Sequence, residues 1–204
     1  MCCRYYYEDF ERELRELIKA LEVVRLPGLS HEKTADRDVY PSQAAVTIHA
    51  AGNNSILGMS EMFWGFSNPA KKGLIINSRS ETAREKRTFA DSIAKRRCVI
   101  PASGFYEWDK YKARFRFTPQ DDPLLFLAGF YREEQGVPRF TVLTTEANES
   151  MIKVHDRMPV MIGRDEIRSW IGDDDRLPEF LRRKQMPLIC EQDTGQIRMD
   201  LGML

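Results

Sequence analysis

Cys2 follows the initiator methionine. Once Met1 is removed, Cys2 carries a free α-amine beside its thiol. That amine, with an ordinary pKa of about 8, is partly neutral at physiological pH and can condense with an aldehyde. The thiol then closes onto the imine to give a thiazolidine, a reaction open to no internal cysteine. The plain alternative is that Cys2 is an ordinary second residue; Cys3 reads as a small packed side chain. In Ile75-Ile76-Asn77-Ser78-Arg79, residues two apart on a strand share a face, so Asn77 and Arg79 point the same way. An amide and a guanidinium presented together suit a phosphate and a neighbouring polar group; a strand-ending amide and a surface ion pair would look the same. Glu107 sits among aromatics in Gly104-Phe105-Tyr106-Glu107-Trp108. Partial burial would fit it for general acid–base work; otherwise it is an exposed glutamate on an edge strand. His155, in Val154-His155-Asp156-Arg157-Met158-Pro159, is a proton shuttle near neutral pH or a ring satisfied by neighbouring backbone. His31 and His49 are given no role. Phe63, Trp64, Phe66, Arg84, Phe105, Trp108 and Arg157 interleave rings with guanidinium groups. Bases of single-stranded nucleic acid stack on such rings while arginines hold phosphates; the competing reading puts most of these rings in the core.

Positioning these groups requires a scaffold, and periodicity outlines one. Phe10, Leu14, Leu17, Ile18 and Leu21 recur at helical spacing, predicting an amphipathic helix over 8–24, with Glu8–Arg12 and Glu11–Arg15 pairs and a stop at Pro27-Gly28. Strands are expected over 45–49 and 56–63, joined by a turn at Gly52-Asn53-Asn54, and over 74–79. A helix is expected over 80–95. Residues 98–108 read as a strand broken at Pro101 and Gly104, suggesting an edge or a bulge. Strands over 114–117, 124–130 and 140–144, short helices over 164–171 and 176–184, and a last strand over 187–190 complete the pattern. No repeat or linker divides the chain. Many short strands without a βαβ rhythm argue for one α+β domain, residues 1–204, with a mostly antiparallel sheet.

Composition narrows the class. Of 204 residues, 42% are hydrophobic and 30% charged, which fits a chain with a real core rather than a disordered one. Thirty-one Lys and Arg balance thirty-one Asp and Glu, which excludes a globally basic nucleic-acid coat but not a local basic groove. No apolar run approaches the roughly 18 residues of a membrane span, and the charged, aromatic stretch after Cys3 is not a secretory signal. Cys2, Cys3, Cys98 and Cys190 lack CxxC spacing, so neither a zinc knuckle nor a disulfide scaffold is indicated, and a reducing, cytoplasmic setting is expected. Three histidines are too few for a multi-histidine metal site.

Five blocks taken in order resemble the SOS-response-associated peptidase (SRAP) family of abasic-site processing proteins: Met1-Cys2-Cys3-Arg4-Tyr5, Phe63-Trp64-Gly65-Phe66, Asn77-Ser78-Arg79-Ser80-Glu81-Thr82, the run from Cys98 to Trp108, and His155-Asp156-Arg157-Met158-Pro159-Val160. The resemblance runs from residue 1 to about 171. It implies an α+β fold with a partly barrel-like sheet flanked by helices. It also implies that Cys2, freed by loss of Met1, captures the aldehyde of an abasic site in single-stranded DNA as a thiazolidine crosslink. By motif, Cys2 is the nucleophile and Asn77 holds its amine or the opened sugar. Glu107 is the general acid–base group and bears on Met1 removal, and His155 helps open the deoxyribose. Arg4, Trp64, Gly65, Arg79 and Arg157 are expected at the DNA surface. The resemblance implies no cofactor, metal or membrane, and a monomer, nucleoid-associated if the source is bacterial. Strand cleavage at the lesion and autoproteolysis accompany the crosslink in the family. A cysteine peptidase acting on peptides, or a non-catalytic single-strand or modified-base reader, are the other readings. Three departures stand out: Cys3 replaces the usual glycine, Tyr40-Pro41-Ser42 stands in place of an Asn-x-Ala-Pro segment, and 195–204 lacks a clear valine–asparagine motif.

Overall fold

The computed structural model describes residues 3–26, 29, 34–52 and 56–194. Cys2, His31, the Pro27-Gly28 stop, the Asn53-Asn54 turn and the segment 195–204 therefore lie outside the described residues.

Five long strands form a closed circle: β4 (Ala44–Ala51), β5 (Ile56–Trp64), β9 (Arg97–Ala102), β12 (Leu125–Glu134) and β13 (Val137–Glu146). Their order is β13-β12-β9-β4-β5, and a parallel pairing of Arg139 with Phe63 and Phe140 with Trp64 returns β5 to β13. Closure leaves this circle without a free edge. All six residues of β9 are buried. The reason is cover on the outside: α2 (Ala90–Lys95) and α3 (Ile167–Gly172) pack on β9, so both faces are dry. Arg97, 3% exposed, fastens that cover through the carbonyls of Ile93, Ala94 and Trp170 and the Asp174 carboxylate. The short α4 (Leu177–Arg182) adds Phe180 against Trp170.

A second, antiparallel sheet has the order β15-β11-β10-β1-β3, built from β1 (Arg4–Tyr7), β3 (Arg37–Val39), β10 (Gly104–Trp108), β11 (Arg114–Thr118) and β15 (Ile189–Gln192). Its inner face buries Tyr5, Tyr7, Val39, Phe105 and Phe117 in one cluster with the barrel residues. Its outer face carries a ladder of rings and guanidinium groups: Arg116 over Tyr6, Tyr6 against Tyr106, and Arg4 and Arg114 over Tyr106. Gly104 is required where Tyr6 crosses, since a Cβ there would stand 2.5 Å from the Phe117 carbonyl. The small strands β2 (Val24–Arg25), β6 (Phe66–Ser67), β7 (Leu74–Ile75), β8 (Asn77–Arg79) and β14 (Arg157–Pro159) edge the barrel, with β8 and β14 both paired to the end of β13.

Five expectations need correction. The predicted strand 98–108 is two strands in two different sheets, changing over at Ser103; neither is an edge. Pro101 is tolerated in β9 because it lies beyond the last β4 pair, at Val99. The expected strand over 74–79 is likewise split at Ile76, where the chain leaves β6 and joins β13. The helix expected over 80–95 covers only 90–95; before it, Ser80 N–H is drawn to the Thr144 carbonyl and Glu81 to Arg157, and these tertiary anchors hold the segment in successive turns. The first helix, α1 (Phe10–Leu21), buries Phe10, Leu14 and Leu17 as the period demands, and Glu11–Arg15 forms. It stops earlier than expected, because Glu22 adopts a left-handed conformation that closes the last turn onto the Ile18 carbonyl. Glu8 reaches Arg116 rather than Arg12.

Candidate active site

The chain enters the second sheet at Arg4, directly after Cys3. In the β1–β10 ladder Arg4 opposes Tyr106 and Tyr5 opposes Phe105, so the register carries Cys3 toward Glu107 on the inward face. The chemistry agrees with that placement. Burial raises the pKa of the half-buried Cys3 thiol, and the Glu107 charge raises it further. Glu107 itself is only 4% exposed, because β10 is an interior strand flanked by β1 and β11. The alternative of an exposed edge glutamate is thereby excluded. Cys2, one residue earlier, lies outside the described residues.

Asn77 and Arg79 sit on β8, whose parallel ladder with β13 matches Asn77 to Val142 and Arg79 to Thr144. Asn77 is half-buried and Arg79 exposed. On the other side of β13, β14 matches Arg157 to Glu146. Arg79 and Arg157 thus flank one depression of about 350 Å³, with Glu146, Ala147, Ile152 and Asp156 completing its wall. The Arg79 guanidinium makes no hydrogen bond or ion pair with another described residue, the Arg79 backbone carbonyl instead accepting the Thr82 N–H, so that side chain is available there.

His155 ends a run of turns; its backbone N–H donates to the Met151 carbonyl at 3.0 Å. Its Nδ1 accepts the Arg157 N–H at 3.0 Å and also lies 2.9 Å from the Asp156 carboxylate. One in-plane lone pair cannot serve the first contact while a proton serves the second. The backbone donor is fixed by the chain, whereas Asp156 is 81% exposed and free to turn. The neutral ring therefore carries its proton on Nε2. None of Asn77, Glu107 and His155 is without a partner.

The remaining expected DNA contacts fare differently. Trp64 is fully buried: its ring lies 5.0 Å from that of Tyr5 and stacks on Phe140, and its indole N–H donates to the Ile76 carbonyl. Gly65 is buried as well, at φ +110°, where a Cβ would meet Leu74 at 2.8 Å. Both are corrected from surface to core; a tryptophan between barrel and sheet fills volume that solvent never reaches. Arg157 is committed twice, to Glu81 through two bonds of 2.6 and 2.8 Å and to the Thr144 carbonyl at 2.7 Å. Burial alone would raise the Glu81 pKa, but the Arg157 guanidinium holds the carboxyl below its usual range. Arg157 is therefore a strut rather than an open phosphate ligand. Arg4 is paired with Asp38 and lies over the rings of Tyr40 and Tyr106. Phe66 and Phe105 are buried, while Phe63, 39% exposed, keeps an open ring.

Sequence reasoning gave Glu81 and Ile152 no part. Glu81 fixes the distance between the Asn77 and His155 segments through Arg157; its signal was a carboxylate two residues after Arg79. Ile152, 52% exposed beside Arg79, is an apolar side chain turned to the depression, and periodicity in a turn gives no hint of it. Among the described residues no group of three His, Cys, Asp or Glu side chains is placed to hold a metal, and no helix is long and apolar enough to cross a membrane.

Comparison with known proteins extends this picture. The family model for SOS response associated peptidase (SRAP) matches residues 1–193. The abasic site processing protein YoaM of Bacillus subtilis is 35% identical over 164 residues, spanning 74% of this chain and 71% of that protein. The abasic site processing protein YedK of Escherichia coli is 29% identical over 127 residues, 58% of this chain and 57% of its own. A crystal structure of a Bordetella bronchiseptica protein superposes with a TM-score of 0.73 over 94% of this chain and 99% of that one at 21% identity, and a phage-related protein from the same organism gives 0.73 over 98% and 96%, also at 21%. The fold is shared with both. With its barrel, its second sheet and a family match over nearly its whole length, the chain belongs to the SOS response associated peptidase (SRAP) family.

Proposed function

We propose that this protein processes abasic sites in single-stranded DNA, forming a covalent crosslink through Cys2 after Met1 is removed. The observation that carries this reading is a buried carboxylate, Glu107, on the strand paired with β1, in the register that brings it opposite Cys3, the residue next to Cys2. The relatives named above as abasic site processing proteins support the substrate class.

The Cys2 amine attacks the aldehyde carbon of the ring-opened sugar. Its proton passes to the carbonyl oxygen, which leaves as water from the carbinolamine. Glu107 holds and returns that proton, in an environment screened from bulk solvent. The Cys2 thiol then adds to the imine carbon and its proton moves to the ring nitrogen, completing the thiazolidine. His155, protonated at Nε2, donates at the sugar ring oxygen during opening. Asn77 holds the amine by hydrogen bonding, and Arg79 grips a neighbouring phosphate. While the imine persists, the C2′ proton is acidified, and β-elimination there would cut the strand. Residues 1–204 act in this as one domain and as a monomer.

Substitution tests the scheme. Incubated with an oligonucleotide carrying one abasic site, Cys2→Ala and Cys2→Ser both keep the α-amine but lose the thiol, so each should form no stable adduct and give only an imine that survives after borohydride reduction. A Cys2→Ala protein that still forms a stable adduct without reduction would remove the Cys2 thiol from the chemistry.

A further inference from the structure

Trp64 occupies an unusual junction. Its indole N–H donates to the Ile76 carbonyl at 2.9 Å, and the same oxygen accepts the Val142 N–H at 3.0 Å. Ile76 is the break between β7 and β8, where the chain changes partners from β6 to β13. The Ile76 carbonyl and the Asn77 N–H belong to one planar peptide unit. Pinning that oxygen from two directions therefore fixes the plane from which the Asn77 Cα–Cβ bond departs. On its other side the Trp64 ring lies 5.0 Å from Tyr5, two residues from Cys3 on β1. One buried side chain thus joins the strand that leads to Cys2 and the strand that presents Asn77. Gly65 permits this: its φ of +110° turns the chain directly after Trp64, and its N–H donates to the Phe140 carbonyl at 2.8 Å.

We propose that Trp64 is a positioning residue for the crosslinking reaction, setting Asn77 against the N-terminal strand through its indole N–H. The inference rests on the function proposed above for its catalytic readout, but its structural readout does not. Because Val142 still bonds the Ile76 oxygen when the indole N–H is lost, Trp64→Phe leaves no orphaned carbonyl. Its ring also preserves the packing on Tyr5 and Phe140, so the fold should survive.

The test compares wild type, Trp64→Phe, Asn77→Ala and the double variant. Two quantities are measured: the crosslinking rate at saturating abasic single-stranded DNA, and the NMR signals of the Asn77 side-chain amide, assigned by their absence in Asn77→Ala. We expect Trp64→Phe to shift or broaden the Asn77 amide signals and to slow crosslinking about 5- to 20-fold, with a lowered Tm from the lost ring volume and hydrogen bond, the protein still folded at the assay temperature, and affinity for undamaged single strands little changed. In the Asn77→Ala background the same replacement should cost less than about twofold, because the two residues act as a unit. Unchanged Asn77 amide signals in Trp64→Phe would overturn the inference whatever the activity. An equal loss in both backgrounds would also overturn it, since that is how a purely structural tryptophan behaves. Moved amide signals with an unchanged rate would overturn it too, since Trp64 would then move Asn77 without serving the reaction; an unchanged rate in Asn77→Ala itself would instead mark a failure of the functional reading and remove Asn77 from the chemistry.

Discussion

Arg79 and Arg157 border the same depression, yet their surroundings assign them opposite work. Arg157 is 11% exposed and bound to Glu81 and Thr144, whereas Arg79 is exposed with no such ties. Arg157→Ala should therefore lower stability by about 1.5–3 kcal/mol, the range for hydrogen bonds to a charged group, read as a reduced denaturation midpoint. Arg79→Ala should leave that midpoint alone, weaken binding to single-stranded DNA and reduce the salt slope of affinity by roughly one phosphate contact. A fall in stability for Arg79→Ala with an unchanged slope would reverse the assignment. Cys3 offers a second check. Burial and the Glu107 charge both disfavour its thiolate, so Glu107→Gln should speed alkylation of Cys3 at pH 8, followed by peptide mass mapping; a slower reaction would contradict the proximity. At this scale the sequence was informative where chemistry is local: Glu107 among aromatics and His155 beside Asp156 could be singled out. It could not tell a buried strut from an open ligand, because Arg157 and Arg79 differ only in what distant segments bring to them.

At the scale of elements, strand positions were legible from alternation and turn residues, while partners and boundaries were not. The run from Cys98 to Trp108 reads as one interrupted strand, yet Ser103 divides a barrel strand from a sheet strand, binding Tyr6 and Glu8 at the change. The helix over 80–95 was overcalled because the anchors on Thr144 and Arg157 lie more than sixty positions away in sequence. His49, on β4, tests the barrel wall directly. Its ring is bonded to the Ala50 carbonyl and the Ser60 hydroxyl. Burial lowers its pKa from 6.5, against the Ala50 bond, which raises it. The unfolded chain therefore takes up this proton first as pH falls, so the His49 contribution is complete above about pH 6.5 and is lost below it. Denaturation midpoints between pH 7.5 and 5.5 should decline less steeply for His49→Gln than for wild type. Equal slopes would place the ring in contact with solvent.

For the whole molecule, balanced charge excluded a basic coat, and the short, irregularly spaced strands pointed to an α+β class with a mostly antiparallel sheet; the partly barrel-like sheet was implied by the family resemblance alone. Closure itself was not readable, because the parallel contact of β5 with β13 joins residues about 76 positions apart with no local signature. Arg97 marks the seam between barrel and helices, and Arg97→Ala should destabilise the protein by about 2–4 kcal/mol, since several buried carbonyls lose a charged donor at once. The central claim concerns none of these supports but the residue they surround. Intact-protein mass spectrometry after incubation with abasic single-stranded DNA addresses it in one spectrum. The account predicts a polypeptide lacking Met1 and carrying one covalently bound strand, with Cys2→Ala lacking Met1 or not but never carrying DNA. A polypeptide that has lost Met1 and remains free of DNA would contradict it.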